Sequence, residues 1–223
     1  MKKLSLWLAS LSIILLSGCS NKSEPYDYST LQNSNPKSIL LVLPKNNSPE
    51  VKADISVLAQ ATMPLAEKGY YVFPVTLVNE LFKENGVTNG NDIQNISAKK
   101  LHQIFGADAA MYMTVDEYGS SYRVFDSVTT VSATANLVDL KSGKLLWSKD
   151  AKVSMNSNGD QTGGVLGSLL AAVVNQIINT VTDQGYKVAG QTTENLFSAG
   201  HSGNILYGPK HPLYQKDPQL PTK

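Results

Sequence analysis

The sequence predicts an α/β fold on a mixed sheet, with parallel strands first and an antiparallel hairpin after. Three observations carry this prediction. Ile39-Leu40-Leu41-Val42-Leu43 is an unbroken apolar run, the pattern of a strand buried on both faces. Helix-spaced apolar residues separate it from a second run, Tyr70-Tyr71-Val72-Phe73, as a crossover between parallel strands requires. Farther along, residues 122–137 and 145–155 alternate apolar and polar side chains, the mark of half-buried antiparallel strands. A chain of 223 residues, 42% hydrophobic and 17% charged, accommodates one such domain with tails.

The chain opens with a basic Met1-Lys2-Lys3 and a 13-residue apolar run, Leu4 to Leu16. That run fits a secretory signal peptide and falls short of the ~20 residues of a membrane span. It closes on Leu16-Ser17-Gly18-Cys19, which holds the only cysteine. These four residues resemble the bacterial lipobox, which makes residues 1–18 a lipoprotein signal peptide and Cys19 the lipidation site. Acyl chains contribute about 0.8 kcal/mol per buried methylene, so a multiply acylated cysteine is a lasting anchor. Ser20, rather than an aspartate, stands next; under the lipoprotein sorting rule this implies the outer membrane, with the domain facing the periplasm. Residues 20–36 are polar and turn-rich and are expected to form a flexible tether, giving a segment 19–36 that reaches roughly 60 Å at about 3.5 Å per residue.

The domain proper is expected over residues 37–189. After the first strand, Ser48 is expected to cap a helix whose buried stripe is Val51, Ile55, Leu58, Thr62 and Leu65, kinked or restarted at Pro64 and ended by Gly69. Leu77, Val78, Leu81 and Phe82 mark a short helix after the second strand. Ser97 caps another, with Leu101, Ile104 and Phe105 inward and Gly106 at its end. A third strand is expected over Ala109 to Glu117, with a turn at Gly119-Ser120. In the long strand that follows, Val131, Ala133, Ala135 and Leu137 face the core, and the two alanines let a helix lie close. Asp139 to Lys144 form the hairpin loop, and Leu145 to Met155 the return strand.

A long C-terminal amphipathic helix is predicted from Val165 to Val181, with apolar pairs every four residues. Its other face, which includes Gly164, Gly167, Ser168, Ala171, Ala172 and Asn175, is small and uncharged. Two explanations stand: the tail covers that face, or it is a protein–protein interface. Residues 190–223, rich in proline and glycine, are expected to form an extended tail, with its last dozen residues mobile.

Chemistry is sparse. The net charge of +1 becomes −1 once residues 1–18 are removed, which argues against nucleic acid. One cysteine excludes an internal disulfide. Gly159 and Gly164 have phosphate-loop spacing, but Val165-Leu166 replace the lysine and hydroxyl. There is no G-x-S-x-G elbow. His102 has no partner at metal-ligand spacing, and His201-Ser202 lies in an irregular segment. Asp116, Glu117 and Asp126 are candidate paired carboxylates, yet 116 and 117, as strand neighbours, are expected on opposite faces. No catalytic residue, cofactor or metal is assigned.

Several stretches carry a resemblance: Ile39–Pro44, Pro64–Pro74, Ile104–Ala110, Thr129–Ala133, Leu137–Trp147, Gly163-Gly164 and Asp183–Tyr186. Together they resemble an uncharacterised family of Gram-negative outer-membrane lipoproteins related in fold to the TolB amino-terminal domain. The resemblance implies a three-layer TolB-like domain, dimerisation, and company with CsgG-like lipoproteins in envelope transport, secretion or assembly. It supplies no catalytic residues. The expected function is a non-enzymatic, protein-binding outer-membrane lipoprotein, a homodimer meeting envelope proteins. Alternatives are a regulator of a peptidoglycan synthase, or a small-molecule binder or hydrolytic enzyme using the crevice at the strand ends near Pro44, Pro74 and Glu117.

Overall fold

The computed structural model describes residues 26–123, 126–156 and 184–220. The elements are α1 Ser29–Ser34, β1 Ser38–Leu41, β2 Lys45–Asn46, α2 Ala53–Glu67, β3 Tyr71–Val72, α3 Val75–Glu84, α4 Gly90–Gln94, α5 Ala98–Phe105, β4 Ala109–Arg123, β5 Asp126–Asp139, β6 Leu145–Asn156 and α6 Gln184–Leu196. They form one mixed sheet in the order β3-β1-β4-β5-β6, with β2 also on β4. β3, β1 and β2 join in parallel, and β4, β5 and β6 antiparallel, as the hydrophobic patterns predict.

The two halves of the sheet are covered differently. Ile39 to Val42 and Ala109 to Met111 are buried at every position, so both faces are packed there. From Tyr112 onward burial alternates: Met113, Val115, Val131, Ala133, Ala135, Leu137 and Trp147 lie inward, and Thr114, Ser132, Thr134 and Ser148 outward. Helix α6 packs across β5 and β6 and against α2. The small Ala133 and Ala135 admit that close approach.

Several expectations are corrected. Ser48 caps no helix: its N–H and hydroxyl both donate to Asn46 Oδ1, at 2.9 and 2.7 Å, in an Asx turn. Helix α2 therefore starts at Ala53, leaving Val51 86% exposed and Ile55 outward. Its buried stripe is Ala53, Val57, Leu58, Ala61 and Leu65. The helix runs through Pro64 unbroken. The Gln60 carbonyl, which an N–H at position 64 would have met, instead accepts the Thr193 hydroxyl at 3.2 Å. Leu77, Leu81 and Ile104 are exposed, and the inward positions are Val78, Phe82 and Leu101. Ser97 and Gly106 cap α5 as expected, Gly106 at φ 67°.

The third strand continues past Gly119 to Arg123 because a bulge at Asp116 shifts its register rather than ending it. With that extra residue, Tyr118 returns to the inward face. Asp116 and Glu117 both reach outward-facing partners: Thr134 Oγ1 donates to Asp116 at 3.1 Å, and Lys152 Nζ to Glu117 at 2.6 Å. They therefore share one face, against the alternation expected from sequence.

Both tails are corrected as well. Residues 26–36 belong to the folded body: Tyr28 and Leu31 are buried, and Asn35, at φ 45°, ends α1. Helix α6 crosses the expected boundary at 190, burying Val188, Ala189, Thr192, Thr193 and Leu196. Its threonines tolerate burial because the Thr192 hydroxyl donates to the Val188 carbonyl at 2.8 Å and the Thr193 hydroxyl is shared between the Gly190 carbonyl, at 2.9 Å, and that of Gln60. Residues 197–220 then form an ordered strap. Tyr28 Oη donates to the Asn204 carbonyl at 2.6 Å, Tyr70 Oη to Leu206 at 2.9 Å and Trp147 Nε1 to Gly203 at 2.9 Å. The Gly208 N–H closes on the Lys68 carbonyl at 2.7 Å. Gly69, at φ 87°, lies against the His211 backbone, where any Cβ would collide.

Lys149 breaks the apolar face of β6 for a reason the alternation does not show. Its ammonium donates to the Asn195 carbonyl at 2.6 Å, Asn204 Oδ1 at 2.7 Å and Ser198 Oγ at 2.9 Å, at the C-terminus of α6. Burial pulls its pKa below the ordinary lysine value. Replacing Lys149 with Met is expected to cost about 2 kcal/mol in urea unfolding, since three acceptors lose a charged donor. Tyr70→Phe is expected to cost about 1–2 kcal/mol for the stranded Leu206 carbonyl.

Candidate functional site

Cys19 and the helix-face residues Gly164, Gly167, Ser168, Ala171, Ala172 and Asn175 lie outside the described residues. The other sequence candidates do not converge on a reaction. His102 Nδ1 sits 2.8 Å from the Ala107 carbonyl, closing the turn after α5. Ser202 Oγ accepts the Tyr26 N–H at 3.2 Å, while His201 is exposed and contributes its carbonyl to the Asn204 N–H. The side chain of Asp126 also lies outside the described residues. Among those residues no three His, Cys, Asp or Glu side chains gather as metal ligands. None of the described helices is long and apolar enough to cross a membrane.

The strand-end crevice is occupied by the chain itself. Between Leu41 and Lys45 the first strand has one residue more than its partner between Met111 and Thr114, so Val42–Pro44 bulge out of the sheet. Helix α4 seals the bulge. Gln94 Nε2 donates to the Met113 carbonyl at 2.7 Å and the Leu43 carbonyl at 3.1 Å. Gly90 packs on the Pro44 carbonyl so closely that an added Cβ would overlap it. Asn89 holds this short helix in place through its side-chain bond from the Asp92 N–H at 2.9 Å.

Two carboxylates instead tie strand ends at the opposite end of the parallel strands. Asp108 Oδ2 accepts the Lys37 N–H, the Ser38 N–H and the Ser38 hydroxyl, at 3.0, 3.2 and 3.1 Å. Asp139 accepts Ser142, through its N–H at 2.6 Å and its hydroxyl at 2.7 Å, and Ser34 Oγ at 2.7 Å. Burial alone would raise both pKa values, but these donors outweigh it and hold them below the ordinary carboxylate value. They secure the chain on either side of α1 and the hairpin loop.

A cavity of about 720 Å³ lies between α1 and the strap, with walls that include Leu31, Asn35, Tyr70, Leu206, Tyr214 and Asp217. Asp217 is only 5% exposed, and its Oδ1 accepts the Tyr207 N–H at 2.6 Å. Burial pushes its pKa above the usual carboxylate range, and the Tyr207 amide and the nearby His211 offset this only in part. Tyr214 Oη donates to Asn35 Oδ1 at 2.7 Å, bridging the cavity's two sides. Sequence patterning does not mark this site: Asp217 stands alone among prolines and polar residues, and only the fold brings it to α1.

The fold thus defines an α/β domain with its strand-end crevice filled and with residues 26–36 and 197–220 packed into the body. The chain belongs to the family described as "Putative lipoprotein GNA1162-like", whose model matches residues 26–210 and so spans α1 through most of the strap. It is 50% identical over 211 residues to "Putative lipoprotein NMB1124/NMB1162" of Neisseria meningitidis serogroup B, covering 94% of this chain and 97% of that one. It is 54% identical to the chain in the crystal structure of lipoprotein GNA1162 from Neisseria meningitidis, at a TM-score of 0.55, covering 65% of this chain and all of that one. The C-terminal domain of LpoB from Salmonella enterica is far more remote, at 17% identity and a TM-score of 0.38 over 53% of this chain and 84% of that one.

Two outcomes are expected. Gln94→Leu strands two buried carbonyls and is expected to cost about 2 kcal/mol in urea unfolding. Asp217 has a raised folded pKa, so its contribution to stability is present below pH 3.8 and is lost as pH rises through the folded pKa. The stability difference between wild type and Asp217→Asn, followed from pH 3 to 7 by urea unfolding, is therefore expected to shift against the wild type as pH rises.

Proposed function

We propose that this lipoprotein is a non-enzymatic, protein-binding component of an envelope transport or assembly complex, anchored through Cys19 in the outer membrane and facing the periplasm. The observation that carries this is the filled crevice. Where a parallel-sheet enzyme keeps its substrate, outside the strand C-termini, this chain has placed Gln94 and Gly90 against its own carbonyls.

The packing of residues 26–36 into the body sharpens the geometry of the proposed anchor. With residues from Tyr26 on part of the body, only residues 20–25 link it to Cys19. Six residues span at most roughly 20 Å. A domain so held works at the membrane surface and meets partners anchored or assembled there, a second copy of itself and CsgG-like lipoproteins among them. The same short link weighs against the alternative of regulating a peptidoglycan synthase, which requires reaching across the periplasm.

The outward face of β4, β5 and β6 offers partners a surface of Thr114, Ser132, Thr134, Asp150 and Lys152 beside the Asp116–Glu117 bulge. A photo-crosslinking residue at Thr134 in the living envelope is expected to capture an envelope protein or a second copy. Capture of nothing, with the protein correctly localised, would contradict the binding role of this face. Membrane fractionation tests the anchor separately: Cys19→Ala is expected to leave the outer-membrane fraction, and its retention there would contradict the lipid attachment.

A further inference from the structure

The cavity between α1 and the strap contains a group that neither the sheet nor the assembly role requires. Asp217 is largely withdrawn from water; its Oδ1 accepts the Tyr207 N–H, and its Oδ2 is not sealed into the core. Among the described residues no donor reaches Oδ2. Lys216 lines the cavity but is exposed, and the ion pairs among the described residues are Lys83–Glu80, Lys141–Asp108 and Lys152–Glu117. Three phenols near it are spent as donors: Tyr70 on the Leu206 carbonyl, Tyr214 on Asn35 Oδ1 and Tyr28 on the Asn204 carbonyl, while Tyr207 stacks on His211. The walls therefore set the Asp217 carboxylate among aromatic and apolar side chains, with the side-chain amides of Gln32, Asn35 and Gln215 also on the lining.

That combination selects a class of ligand. An anion would meet a carboxylate, and a neutral apolar molecule would leave it unpaired at a cost. A protonated amine supplies both the missing hydrogen bond and the compensating charge, and it is attracted to aromatic ring faces. We propose that this cavity binds a small organic cation bearing a primary ammonium group, which donates to Asp217 Oδ2. Its carbon skeleton lies against Leu31, Tyr70, Leu206 and Leu220. The volume falls within the usual 300–1,000 Å³ range of small-ligand sites. A quaternary ammonium has the charge but no N–H, so it leaves Oδ2 unsatisfied. The same ammonium is available on a free amine or on a phosphoethanolamine headgroup, and the lipid source alone depends on the anchoring proposed above.

The test is calorimetric titration of the full chain in maltoside with glycerophosphoethanolamine, ethanolamine and glycerophosphocholine at neutral pH. The ethanolamine compounds are expected to bind, and the choline compound at least tenfold more weakly. Asp217→Asn, which keeps an oxygen for the Tyr207 N–H, is expected to lose at least tenfold in affinity while melting as a folded protein. Should that variant fail to fold, the wild type's own pH dependence decides. Affinity is expected to fall as Asp217 takes up a proton on acidification, and to do so equally in His211→Gln. That variant removes the neighbouring imidazole; the other charged or titratable side chains about Asp217 are Lys216, Tyr28, Tyr70, Tyr207 and Tyr214. Equal affinity for the choline compound, an unaltered Asp217→Asn, a pH-independent affinity, or no binding of either amine would overturn the proposal. Vesicles separate the sources. Recruitment of a Cys19→Ser chain to phosphatidylethanolamine but not to phosphatidylglycerol assigns the ammonium to lipid. Binding of ethanolamine without recruitment assigns it to a soluble amine.

Discussion

The backbone carbonyls of the C-terminal strap leave water only because aromatic N–H and O–H groups of the body meet them. Tyr28, Tyr70 and Trp147 bond Asn204, Leu206 and Gly203, and Lys149 ties the strap to the end of α6. An unpaired buried carbonyl costs about 1–3 kcal/mol, so irregular backbone of this kind stays on a core only where such donors are supplied. The donors come from α1, the start of β3 and the edge strand β6. The strap thereby joins elements that the sheet alone would leave separate, and it packs Phe197, Ile205 and Leu206 into the core.

This constraint reaches the function through the N-terminus. Tyr28 faces the strap, Tyr26 meets the Ser148 N–H on the β6 edge at 3.1 Å, and Ser34 bonds Asp139. Residues 26–36, which look like tether in the sequence, are held by the strap and the hairpin, and on the proposed reading only residues 20–25 then separate them from Cys19. A long tether would let the domain search; a short one fixes its distance from the bilayer. The cavity formed between α1 and the strap is a by-product of the same tie. Asp217 there carries an ionisation cost that a purely structural residue need not bear.

The sheet was legible in the sequence because its signals are periodic. The buried strand Ile39–Leu41, the inward series Val131, Ala133, Ala135 and Leu137, and the hairpin at Gly143 stand where patterning puts them, although Val42 and Leu43 leave the strand for the bulge. The failures have local physical causes. Asn46 captured Ser48, a bulge at Asp116 reversed the parity of β4, and Thr192 and Thr193 hid a buried helix face by bonding their own backbone. The strap was not legible because its stability lies in donors up to about 180 residues away in the chain, such as Tyr28 for Asn204. The filled crevice was not legible either, since a single Gln94 amide and a hydrogen in place of a side chain at Gly90 close it.

Native-state amide hydrogen exchange tests most directly whether residues 26–36 and 197–220 are built into the domain. The amides to follow are Tyr207, Gly208 and Lys210 in the strap and Gln32 and Asn35 in α1, each bonded to another part of the described body or within its helix. Their protection is expected to approach that of Met111 at the sheet centre, opening only as the whole domain unfolds. Exchange of the strap and α1 amides orders of magnitude faster than Met111 would show loosely laid tails. It would also return the chain to a freely tethered domain and remove the basis for a fixed distance from the membrane.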